Sequence, residues 1–180
     1  MPYRCPTCGK LHDGLPDISD GYPFVYREMS EEDRKRRARL TPDTCVIDDT
    51  DFFIRGVLEI PIREQEKPFG FGVWISQSRE NFLKYESDPN STEIGPFFGW
   101  LCTDILYYQV ETLALKAMAH FPGRRQVPFI ELEPTDHPLA IDQREGITID
   151  KAWEIVHWYE SRGIKLGDTS RKRPWWKFWT

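Results

Sequence analysis

The sequence predicts an α+β domain, a largely antiparallel sheet with flanking helices and a small N-terminal CxxC knuckle. Three observations carry this. Two runs rich in aromatic and β-branched residues, FFIRGVLEIPIR (52–63) and FGFGVWIS (69–76), are joined by the short polar linker EQEKP, a hairpin pattern. Each run alternates with near period 2: Phe52, Ile54, Leu58, Ile60 and Ile62 share one side, with Arg55 and Glu59 on the other, and Phe69, Phe71, Val73 and Ile75 share another. That is the signature of strands with one well-covered face. Segments with helix caps flank the runs, and Cys5 and Cys8 stand in a turn-rich start too short to build a core.

Along the chain, Ser30 is placed to cap a helix, with Asp33 at the reciprocal capping position. Glu31, Glu32 and Asp33 suit its positive end and Arg34 to Arg39 its negative end. This basic run reads as a solvated helix face or as a partner contact. Thr41-Pro42 closes the helix, and Cys45-Val46-Ile47 enters the sheet. Ser78 caps a short helix carrying Phe82 and Tyr85, which Asp88-Pro89-Asn90 ends. GPFFGWL (95–101) is an aromatic strand or tight turn, and Cys102 after it reads as a buried structural thiol.

Residues 112–120 fit a strand with Leu113, Leu115, Ala117 and Ala119 on one face, although the alanines also favour helix. The turn-rich PGRRQVP that follows selects a hairpin with a strand at 129–133. Ile130 and Leu132 then point to the core, and Glu131 and Glu133 away from it. A final helix starts near Ile147, with Ile149, Ala152, Trp153 and Val156 as its buried stripe.

A length of 180 residues suits one domain, assigned to 1–164 with the knuckle at 5–12, and a basic aromatic tail at 165–180 read as disordered. The net charge of −5 divides unevenly: five basic residues and one acid from Lys165 onward give +4, leaving −9 on the body. An acidic body disfavours nucleic acid as a partner. No apolar run is long enough to span a bilayer, and no signal segment opens the chain, so a cytoplasmic location is expected. Trp175, Trp176, Phe178 and Trp179 lie among Arg171, Lys172, Arg173 and Lys177. This tail suits transient contact with an anionic membrane surface or a partner groove.

Two groups of residues carry possible chemistry. Cys5 and Cys8 flank Pro6-Thr7, and His12 follows Cys8 after three residues. With Cys45 returned by the strand it precedes, they make a Cys3His set suited to structural zinc. A redox pair and an unmetallated turn are the competing readings; the redox reading lacks a helix N-terminus to stabilise a thiolate. The second group is ELEPTDHPLAIDQRE (131–145), where Glu131, Glu133, Asp136 and His137 are candidates for general acid–base work or cation binding. It lacks a spaced nucleophile and any HExxH pattern, and Thr135-Asp136-His137 equally suits a self-bonded turn.

The motifs CPTCGKLHDGLP, TCVIDDTDFFIRGVLEIPI, FGVWIS, FFGWL and IELEPTDHPLAIDQREGI together resemble an uncharacterised bacterial domain-of-unknown-function family, numbered 2199, over Tyr3 to His157. The resemblance implies a small soluble bacterial protein and brings no activity, substrate or catalytic residue. The expected role is a binding or accessory protein for an unknown protein or small molecule, stabilised by zinc. The alternative is a small metal-assisted hydrolase using the cluster from Glu131 to His137.

Overall fold

The computed structural model describes residues 3–89, 91–123 and 126–164. The basic aromatic tail from Lys165 lies outside them. Among the described residues the organising element is β6 (Asp51–Ile60), which pairs antiparallel along its whole length with β7 (Phe69–Gln77), from Phe52 opposite Gln77 to Ile60 opposite Phe69. The other edge of β6 is divided. Its first four residues pair antiparallel with β5 (Thr44–Ile47), and Val57 bridges in parallel to Phe129 of β10 (Phe129–Leu132).

The sheet continues through β9 (Lys116–His120) to β8 (Phe97–Trp100), both pairings antiparallel, and β3 (Ile18–Ser19) adds in parallel to β7. β4 (Ala38–Leu40) pairs with β5. Apart from this sheet, β1 (Tyr3–Arg4) and β2 (Leu11–His12) form a two-stranded ribbon. Mostly antiparallel pairing with flanking helices is the expected α+β class.

The sheet curls until its β8 end meets β7 again. Ile75 and Leu101 are bridged, and Cys102 N–H donates to the Trp74 carbonyl at 2.7 Å. Gly99 permits this closure: a Cβ there would lie 2.1 Å from the Ser76 carbonyl oxygen. Inside the curl the alternation is realised. Ile54, Leu58, Ile60, Phe69, Val73, Ile75, Ile130, Ala117 and Ala119 are all fully buried. Gly56 makes room for Ile130, whose Cγ1 lies 2.5 Å from where a Cβ would be.

Among the described residues five α-helices pack around the sheet: α1 (Phe24–Glu28), α2 (Glu31–Arg37), α3 (Arg79–Ser87), α4 (Pro138–Glu145) and α5 (Ile149–Glu160). The caps read from sequence are in place. Ser30 accepts from Asp33 N–H at 3.1 Å and Ser78 from Asn81 N–H at 3.2 Å. The basic residues of α2 pair locally, Arg36 with Asp33 and Arg37 with Asp48, which is the solvated-face reading. Residues 23–38 cover part of the outer sheet face, so that Phe53, Trp74, Cys45 and Ile47 form a second small core with Tyr26 and Met29 packed on it.

Three expectations change. The strand expected over 112–120 begins only at Lys116, because Ala114 sits at φ 59° and turns the chain. Residues 138–145, to which no element was assigned, are helical; Pro138 at the first turn and Gly146 after the last are the matching sequence signals. Cys102 is half-buried rather than fully enclosed.

Two substitutions test this packing by urea unfolding. Leu58→Ala should cost about 2–5 kcal/mol through lost transfer energy and a cavity. Gly99→Ala should cost about 1–3 kcal/mol or more, since its Cβ meets backbone that cannot swing aside. A change below about 0.5 kcal/mol in either would contradict the closure described.

Candidate metal centre

The knuckle is built by local chemistry. Pro6 fixes the backbone after Cys5, and Gly9 adopts φ 70°, a value that glycine takes without strain. Gly9 N–H donates to the Cys5 carbonyl at 2.8 Å, and Cys5 N–H donates to the Lys10 carbonyl at 2.9 Å. The chain thereby reverses, Tyr3 comes opposite His12, and Cys8 Sγ lies 3.1 Å from His12 Nε2.

A residue from the other end of the domain completes the group. α5, capped by Thr148, carries Trp153 and His157 one turn apart. The knuckle lies on that face: His12 stacks on Trp153 with ring centroids 3.8 Å apart, and the Tyr3 hydroxyl donates to Asp150. His157 Nε2 comes to 3.3 Å from Cys5 Sγ. One ligand atom from each of Cys5, Cys8, His12 and His157 lies within 4.8 Å of the other three, an arrangement compatible with a metal site.

The surroundings orient the His157 ring and favour the Cys5 thiolate. His157 Nδ1 faces Glu160 Oε2 at 2.8 Å. A proton held on Nδ1 by that carboxylate leaves Nε2 with its lone pair toward the knuckle, the usual orienting contact of a metal-bound histidine. Burial works against the imidazolium, yet the contacts with Glu160 and Cys5 raise His157 above its ordinary pKa. For Cys5, burial opposes the thiolate, but the Cys8 amide, the His157 ring and the Thr7 amide outweigh it and lower the thiol to about 7. All four cysteines are free thiols.

Cys45 corrects the expected ligand set. It is fully buried on β5 with Ile47, Phe53 and Trp74, and desolvation pushes its thiol up to about 12. It lies outside the cysteine–histidine group, and His157 stands where Cys45 was expected. The helical stripe Ile149, Ala152, Trp153, Val156 was readable, but nothing in the sequence shows that the next turn meets the knuckle.

The second candidate group does not assemble into one site. Glu131 pairs with His120 at 2.8 Å, and Glu133 with Lys116 at 3.5 Å. Asp136 is exposed on the bend before α4. His137 is the N-cap of α4, its Nδ1 accepting from Leu139 N–H at 3.1 Å. The buried carboxylate nearby is Asp142, which accepts from the Tyr108 hydroxyl at 2.8 Å and pairs with Lys151 at 2.7 Å.

The capping role makes a distinct prediction. His137→Ala should cost about 0.5–2 kcal/mol, the range for losing a side-chain N-cap, and His137→Asn should recover most of it. Denaturant titration of the two variants checks this; equal losses would contradict a cap.

No curated protein and no solved structure matches the chain. One family model matches residues 4–147, which include Cys5, Cys8 and His12 and stop ten residues before His157. The chain therefore belongs to the family described as "Uncharacterized protein conserved in bacteria (DUF2199)".

Proposed function

We propose that Cys5, Cys8, His12 and His157 hold one structural zinc ion, and that the protein is a binding or accessory module rather than a hydrolase. The observation that carries this is the arrival of His157, with its Glu160 partner, against a CxxC knuckle that already holds His12. Two thiolates and two imidazoles are a closed set for zinc and leave no open coordination position for a substrate. Zn–S bonds of about 2.3 Å and Zn–N bonds of about 2.0–2.1 Å place tetrahedral ligand atoms roughly 3.3–3.8 Å apart. The separations here, from 3.1 Å to at most 4.8 Å, bracket that range. Zinc at this point would tie the two-stranded ribbon to α5, fastening a piece too small to fold by itself.

The hydrolase alternative loses its support when Glu131, Glu133 and His137 each take a separate partner. No helix of the described residues is long and apolar enough to cross a membrane. The role of the tail at 165–180 in transient contact remains part of the proposal, since it lies outside the described residues.

Elemental analysis of protein purified without chelator should find one zinc per chain. Cys8→Ser and His157→Ala should lose it, whereas Cys45→Ser should keep it. Glu160→Gln should weaken affinity about 10–100-fold, as expected for losing a carboxylate that orients a liganding histidine. Stripping the metal should lower the melting temperature by about 5–10 °C, a change of a few kcal/mol for a domain of this size. Near-zero zinc after growth in ample metal, or zinc retained in His157→Ala, would overturn the assignment.

A further inference from the structure

On the outer side of the curled sheet, away from the knuckle, two hollows of about 560 and 410 Å³ adjoin. Both are lined by Glu59 of β6 and Phe129 of β10, so they form one trough with Glu59 at the junction. The size suits a small organic ligand. Its walls are stiffened by prolines, Pro96 and Pro122 beside the larger lobe and Pro61, Pro68 and Pro134 beside the smaller. Such walls keep a trough open without ligand, because proline has a fixed φ.

Glu59 lies at the centre of the trough. Glu59 is half-buried, and no hydrogen bond or ion pair joins it to the described residues. Its direct cross-strand neighbour is Gly70, which presents no side chain. Asp17 occupies that gap, its Oδ1 2.8 Å from where a Gly70 Cβ would be, so a second carboxyl sits beside Glu59. Among the described residues the other charged groups lining the trough are Glu66, Arg144, and the paired His120 and Glu131. Arg144 pairs with Glu145. Arg55, four residues before Glu59 on β6, donates to Ser19 and to the Pro42 carbonyl. Burial first, and Asp17 second, push the Glu59 carboxyl up to about 7.

We propose that this trough binds an amphipathic organic cation, an amine carried on an aromatic or aliphatic body. Glu59 is its anionic partner, and Val57, Phe121 and Phe129 are its apolar contacts. An ammonium group supplies what Glu59 lacks, a donor and an opposite charge in a partly desolvated place. An anion meets repulsion there, and a neutral apolar molecule leaves the carboxyl unsatisfied. A metal ion is the weaker occupant: among the described residues, the side chains close enough together to ligate one are at the knuckle. This inference is independent of zinc.

The test uses the full chain and three probes of one shape: 2-phenylethylamine, neutral 2-phenylethanol and anionic 3-phenylpropionate. Nuclear magnetic resonance titration at pH 8 should show saturable amine binding, with shifts at the amides of Val57, Glu59 and Phe129. The amine should bind about tenfold or more tighter than the alcohol, the scale of one charge-assisted hydrogen bond. The propionate should not bind. Amine affinity should fall on going from pH 8 to pH 5.5, because Glu59 is then protonated before the amine arrives. Glu59→Gln should lose the amine preference while melting at pH 8 no lower than the parent, since it removes a charge that burial disfavours. Val57→Lys, which places a competing cation in the trough, should independently abolish amine binding. Equal affinity for amine and alcohol, amine preference retained in Glu59→Gln or Val57→Lys, or no saturation by about 10 mM amine, weaker than the millimolar range of a simple ligand, would overturn the proposal.

Discussion

Backbone hydrogen bonding along β6 is the constraint on which the other features depend. One edge is consumed by β7 over nine consecutive pairs, and the other is shared between β5 and β10. A slip of one residue would turn Ile54, Leu58 and Ile60 outward and bring Arg55 and Glu59 into the core, so the register is strongly held. Gly56 adds a steric lock, because only there can Ile130 and the Pro128 carbonyl approach the strand so closely. With β6 fixed, β10 carries β9 and β8 around the curl, and Gly99 lets the far edge return to β7.

From that frame, α5 receives both its position and its contribution to the knuckle. Ile62 bridges in parallel to Ile147, which sets the start of the α5 segment against the end of the β6 run. Ala152, Ile155 and Val156 are fully buried beneath it. Lys151 on the paired Asp142, and Tyr107 on Glu154 at 2.9 Å, hold its rotation. The remaining face presents Trp153 and His157 to the ribbon of β1 and β2, which has only Tyr3, His12 and its cysteines to offer in return. Aromatic stacking, the Tyr3–Asp150 hydrogen bond and one thiol–imidazole contact are a thin basis for holding a ribbon of this size, which is why a metal at that point would matter physically.

The two faces of the sheet have different fates for the same reason. Inside the curl every alternate side chain meets another apolar one. Outside, residues 23–38 cover Phe53 and Trp74 but do not extend over Val57, Glu59 and Phe129. Small residues shape what is left uncovered. Gly70 and Gly72 lack side chains, and Asp17 and Ser19 of the neighbouring strand fill their places. The approach of Asp17 to Glu59 on a half-covered sheet surface thus follows from Gly70 in β7.

Period-2 alternation in 52–62 and 69–75, and Ser30 and Ser78 before their helices, determined the central hairpin, its buried face and two helix starts from sequence alone, because those signals are local. The CxxC turn with His12 was legible on the same ground: Pro6 and Gly9 act within a few bonds. The parallel contact of β10 with β6 and the late start of β9 depended on tertiary packing. So did the enclosure of Cys45 beside Trp74, since a strand residue is sent to one core or another by what covers its face. His157 is the sharpest case. The stripe through Trp153 marked a helix face, but only the docking of α5 on the folded sheet decided that His157, one turn on, meets the knuckle, a long-range contact that no local pattern encodes.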